Sequence, residues 1–89
     1  MKKIWKFEIH ADDLFTITLP KGAKPLSVQE QNGQAQLWCL CDPKETVYED
    51  RKFRLAGTGH PITEENLDFI GTFQLLGGRL VLHLFEVKS

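Results

Sequence analysis

Leu26-Ser27-Val28-Gln29-Glu30-Gln31-Asn32-Gly33-Gln34-Ala35-Gln36-Leu37-Trp38-Cys39-Leu40-Cys41 is the stretch on which the fold class turns. Its centre, Asn32-Gly33, is the strongest short hairpin signal, because a two-residue type I′ loop needs positive φ at both central positions. Before it, Leu26 and Val28 alternate with Ser27 and Gln29. After it, Ala35, Leu37, Cys39 and Cys41 fill one face, and Trp38 and Leu40 the other. A period of two sends successive side chains to opposite faces of a strand, so both arms are predicted to be strands.

The same period runs outward in both directions. Trp5, Phe7 and Ile9 alternate with Lys6 and Glu8. Ala11-Asp12-Asp13 is a polar turn, and Phe15, Ile17 and Leu19 then alternate with Thr16 and Thr18. Pro20-Lys21-Gly22 ends that run, since proline cannot donate to a ladder and glycine permits the bend. Beyond Asp42-Pro43-Lys44 a fifth strand is predicted over 46–56, with Arg51 and Phe53 on one face and Lys52 and Arg54 on the other. Thr63-Glu64-Glu65-Asn66 is predicted as one helical turn capped by Thr63. Two further strands, 67–75 and 79–87, are joined across Gly77-Gly78. Seven short antiparallel strands without an amphipathic helix of ordinary length predict an all-β fold, a small sandwich or barrel.

The chain has 89 residues, which suits one domain over 1–89 with one core. Eleven basic and twelve acidic residues leave a net charge of −1. That balance argues against nucleic acid as the partner, because gripping phosphates needs an excess of Lys and Arg. No apolar run approaches the roughly 18 residues of a membrane span. Lys6, Glu8 and His10 interrupt what would be a signal-peptide core after Met1-Lys2-Lys3. A cytosolic setting follows as an expectation, with Cys39 and Cys41 as free thiols.

The last strands are apolar on both faces. Leu80, Leu82 and Leu84 oppose Val81 and Phe85, with His83 between these two. Phe69, Gly71 and Phe73 are predicted to share one face, opposite Ile70, Thr72 and Gln74. A strand apolar on both faces must be covered twice, and a second copy of the chain is the simplest cover. A homo-oligomer, as a dimer, is therefore expected, with Trp38, Leu40, Ile70, Val81 and Phe85 as candidate interface residues. The alternative is a closed barrel in which the face assignment slips by one residue.

Candidate chemistry concentrates at Gly57-Thr58-Gly59-His60-Pro61. Two glycines let backbone approach a ligand, Thr58 and His60 add hydrogen-bonding groups, and Pro61 stiffens the loop. A ligand- or partner-binding site lined by Gly57, Thr58, Gly59 and His60, with Arg54 at its edge, is predicted. The competing reading is a plain turn. Catalysis by His60 would need a partner to orient the ring, and the sequence offers none nearby. No catalytic residue is assigned. Cys39 and Cys41 with a histidine match no standard zinc spacing, so neither a metal nor a cofactor is expected.

These blocks carry a resemblance. Ile4-Trp5-Lys6-Phe7, Leu19-Pro20-Lys21-Gly22-Ala23, Leu37-Trp38-Cys39-Leu40-Cys41-Asp42-Pro43, Gly57-Thr58-Gly59-His60-Pro61-Ile62 and Phe69-Ile70-Gly71-Thr72-Phe73-Gln74 run nearly end to end. Together they resemble a family of small, largely uncharacterised proteins of tailed bacteriophages and prophages. The Gly-Thr-Gly-His and Ile-Gly-Thr-Phe-Gln blocks are the most specific. The resemblance implies a phage origin and a location in the host cytoplasm or the virion, and brings no catalytic assignment. The expected function is that of a non-enzymatic binding protein that engages a host protein or a small host-derived ligand. Antagonism of a host protein or an antiviral signal is its concrete version. The alternatives are a minor virion or assembly component and a small enzyme using His60.

Overall fold

The period-two segments form seven strands: β1 Lys3–Ile9, β2 Leu14–Pro20, β3 Lys24–Gln31, β4 Gln34–Cys41, β5 Tyr48–Gly57, β6 Leu67–Leu75 and β7 Leu80–Val87. They were obtained as a computed structural model, which describes residues 1–10 and 12–88. Ala11, in the predicted first turn, lies outside the described residues. One sheet has the order β1-β4-β3 and the other β2-β5-β7-β6, with every pairing antiparallel. The molecule is an all-β sandwich. Among the described residues no helix is long and apolar enough to cross a membrane.

The β3–β4 hairpin turns at Asn32 and Gly33, whose φ angles of 53° and 82° are those a type I′ loop demands. Leu19, Leu37, Phe53 and Leu84 meet between the sheets with no exposed surface. Each such side chain contributes about 1.5–3 kcal/mol through its removal from water. Cys39 and Cys41 are buried on the same inner face as Leu37. Burial, with smaller contributions from Cys41 and Glu86, pushes the Cys39 thiol up to about 12 against the opposing charge of Arg51.

Two face assignments need correction, and both fail at a β-bulge. On β3 the register shifts between Pro25 and Ser27, so Leu26 is left out of the alternation and is 42% exposed, while Val28 is buried. On β6 it shifts between Phe69 and Gly71. Phe69 consequently pairs with Phe85 on the outer face, while Phe73 turns into the core. Ile70, the extra residue, packs against the core instead of standing outside it. An inserted residue reverses the parity of everything beyond it, which composition alone does not reveal. β3 and β6 lie against each other along one side of the sandwich. There a Cβ on Gly71 would lie 3.0 Å from Val28 Cγ1.

The predicted helical turn at 63–66 is absent; the segment is a bend, and Glu64 is drawn to Arg54 instead. The only helical geometry among the described residues is a 3₁₀ turn at Leu76–Gly78 between β6 and β7. Leu76, Gly77 and Gly78 all have positive φ there, which two glycines make affordable and which Leu76 alone among them resists.

Candidate binding site

β5 ends at Gly57, and the chain turns over residues 57–60. His60 N–H donates to the Gly57 carbonyl at 3.1 Å, and Gly59 has φ +86°. A type II turn requires positive φ at its third residue, so Gly59 answers a local backbone demand. Gly57 answers a different one. Its φ is ordinary, but a Cβ there would lie 2.9 Å from both Cε1 and Nδ1 of His60. The imidazole is seated on the bare Cα of Gly57.

The turn is held from two sides. Thr58 N–H reaches the Val81 carbonyl of β7 at 3.4 Å. Arg54, on the outer face of β5, clamps the segment that follows. Its Nη2 donates to the Pro61 carbonyl at 3.0 Å, its Nη1 to the Asp13 carbonyl at 3.3 Å, and its Nε pairs with Glu64 Oε1 at 3.1 Å. Arg54, expected at the edge of the site, has its donors engaged in shaping the loop. That loop lies against Arg54 on the outer face of β5.

Two residues that sequence reasoning passed over complete the arrangement. His83 stands on the outer face of β7. Its Nε2 hydrogen-bonds Thr58 Oγ1 at 2.8 Å, and its Nδ1 hydrogen-bonds Thr72 Oγ1 of β6 at 2.8 Å. Thr72 faces His83 because of the bulge at Ile70, which sets the register beyond it. The available signal was His83 lying among apolar neighbours on an outward face. Its partners, 25 and 11 residues away, carried none.

Beside the turn is an open groove of about 330 Å³, lined by Gly57, Thr58, His60, Arg79, Leu80 and Val81. No carboxylate among the described residues lines it. A second groove, of about 470 Å³, runs between β3 and β6 past Lys24, Pro25, Arg51, Phe69, Glu86 and Lys88. At its base Arg51 Nε and Nη2 bond both Glu86 carboxylate oxygens, the latter at 2.9 Å, and Arg51 Nη1 donates to the Ala23 carbonyl at 2.9 Å. Burial pushes the Glu86 carboxyl up, but the hydrogen bonds and charge of Arg51, helped by Lys88, outweigh it and hold it below the usual carboxylate range. The Glu86 hydrogen bond raises Arg51 in turn.

The domain family described as "Domain of unknown function (DUF7352)" matches residues 1–89. The chain belongs to that family. No curated protein and no solved structure shows significant similarity to it. In this DUF7352 chain the candidate interface residues do not form one patch. Trp38 and Leu40 lie on the outer face of the three-stranded sheet, where Lys6 and Ile4 are their neighbours on β1. Val81 and Phe85 lie on the opposite surface of the sandwich, where Phe85 contacts Phe69 with ring centroids 5.4 Å apart. Among the described residues no three of His, Cys, Asp and Glu converge to hold a metal ion.

Proposed function

We propose that the protein is a small phage-encoded binding protein, without catalysis of its own, that acts in the host cytoplasm through the 57–60 turn and its groove. The carrying observation is the seating of His60 on Gly57, which presents beside Thr58 and Arg79 an imidazole with no side-chain hydrogen bond among the described residues. A turn that served only to reverse the chain would need Gly59 but not a bare Cα under a histidine ring. Its partner on this reading is a host protein or a small host-derived ligand, and antagonism of an antiviral signal is the form of activity that suits a phage product. The Phe69–Phe85 pair, with Phe69 61% exposed, is the surface that a dimer would cover.

A hydrolytic reading has one supporting observation, the Thr58–His83 contact at 2.8 Å with Thr72 behind the ring. Binding is favoured over it for two reasons. The group behind the ring is a neutral hydroxyl, which cannot balance the charge of an imidazolium formed during acid–base catalysis as a carboxylate does. The Thr58 N–H, a natural oxyanion donor, is directed to Val81 instead.

The test pairs Thr58→Ala and His60→Ala, tagged and recovered from infected cells. Loss of the bound partner with unchanged melting supports the reading. Lowered melting with partner binding intact in the cold would make the turn structural, and recovery of virion proteins would favour an assembly component.

A further inference from the structure

We propose that the groove beside the 57–60 turn is an oxyanion site, and that its ligand is a small organic phosphate whose apolar body rests on Leu80 and Val81. This rests on the reading of the groove as the binding site and adds the chemistry of what enters it. Three observations carry it.

The first is the state of Arg79. Its backbone N–H and its Nε–H both donate to the Leu76 carbonyl at 3.3 Å. The Nε bond holds the exposed guanidinium beside the groove, and its terminal amino groups have no partner among the described residues. A planar fork of free donors suits phosphate oxygens. The second is the absence, among the described residues, of a carboxylate from the lining: the two largely buried arginines, Arg51 and Arg54, each have one, whereas the exposed Arg79 does not. The third is the direction of the hydrogen-bond chain. A neutral imidazole has one donor and one acceptor. If Nε2 carries the proton, Thr72 donates to Nδ1, Nε2–H donates to Thr58, and the Thr58 hydroxyl is free to donate into the groove. An anion selects that tautomer and aligns the whole chain toward itself, each bond polarising the next. His83 and Thr72 are then positioning residues that act through Thr58.

The groove's volume, about 330 Å³, is that of a small-molecule site. One arginine, on a chain of net charge −1, does not match a polyanion.

The test is a titration of isotopically labelled protein by NMR, at constant ionic strength, with phenyl phosphate, inorganic phosphate and benzyl alcohol. Phenyl phosphate is expected to shift Thr58, His60 and Arg79 saturably and to move His83 to the Nε2–H tautomer, read from its ring nitrogens. Inorganic phosphate should give the same pattern several-fold more weakly, and benzyl alcohol none. Arg79→Gln should weaken phenyl phosphate binding by about tenfold or more. Thr72→Val should weaken binding and abolish the tautomer change with melting unaltered, and Thr72→Ser should restore both. No saturable shift up to about 10 mM, a shift that survives Arg79→Gln, or an equal response to benzyl alcohol would overturn the proposal. If the phosphates fail while Thr58→Ala still loses its partner in infected cells, the groove remains the binding site and only the oxyanion assignment falls. If both fail, the reading of the groove falls with it.

Discussion

Two grooves of this sandwich each contain an arginine, and they differ in whether its hydrogen bonds are satisfied. In the β3–β6 groove, Arg51 is held by Glu86, by the Ala23 carbonyl and, at 3.7 Å, by Glu49. Its charge is neutralised and its fork is filled. In the groove beside residues 57–60, Arg79 is anchored through Nε alone and faces no carboxylate. The larger groove is thus a structural joint between two strands that share no ladder, and the smaller one leaves the terminal amino groups of its arginine open among the described residues. Volume alone would have ranked them the other way. What separates them is whether the polar groups already have partners, since a buried charge without one is costly and an exposed donor without one is available.

The largest effect that this contrast predicts is in the structural groove. Glu86→Leu leaves the largely buried Arg51 guanidinium with only the more distant, exposed Glu49 as counter-charge, and the loss should be about 3–5 kcal/mol, with Tm lower by more than about 10 °C. Retention of most of the melting temperature would show that Arg51 escapes to solvent and that the groove is less of a joint than its geometry suggests.

Acid should reveal the same pair. The folded-state Glu86 lies below its ordinary value, so its contribution is complete above the unfolded-state value of about 4.3 and is lost as pH falls through the folded-state value. Thermal melts from about pH 6 to about pH 3 should therefore fall more steeply for the wild type than for Glu86→Gln. Parallel curves would assign acid sensitivity to other carboxylates.

Next in size is Arg54→Ala. Removal of the clamp on Asp13, Pro61 and Glu64 should cost about 1–3 kcal/mol and loosen the turn, so partner binding should weaken along with stability. Hydrogen exchange at residues 58–64 is the direct measurement, and unchanged protection there would remove Arg54 from the account of the site.

Gly57→Ala is the sharpest small change. Its new methyl would meet the His60 ring, a side chain that can swing away, so the expected stability cost is under about 1 kcal/mol. Binding should nonetheless be lost, because the ring no longer has its seat. A variant that binds normally would mean that the position of His60 is irrelevant to function. Smallest of all, His60→Ala should change the stability by no more than the roughly 0.5 kcal/mol typical of exposed positions while binding is lost.

Much of this was legible before any coordinates. The bounds of β4 and β6 match those expected from alternation, and Asn32-Gly33 turns the hairpin with the backbone angles its residues prefer. Arg51 and Phe53 share the inner face of β5, as spacing demanded. The turn at 57–60 was also visible, because two glycines around a threonine restrict what the backbone can do. Gly57, however, has a further role that no local reading showed: it leaves space for a ring three residues away.

Other features had no local trace. The bulges at Leu26 and Ile70 depend on how β3 and β6 pack across the two sheets, and nothing in either hydrophobic run marks the extra residue. His83 gained significance only when Thr58 and Thr72 arrived on either side of it.

The amino-acid sequence by itself determined the number of strands, their approximate ends, the hairpin turn and the rigid loop, because each follows from period, propensity and φ within a few residues. The tertiary structure alone decided which arginine is satisfied and which is free, where the registers shift, and which hydroxyls meet the imidazole. Those outcomes join groups 11 to 35 residues apart, as Thr72 with His83 and Arg51 with Glu86 are. Strand pairing and side-chain packing bring such groups together, and no local preference encodes them.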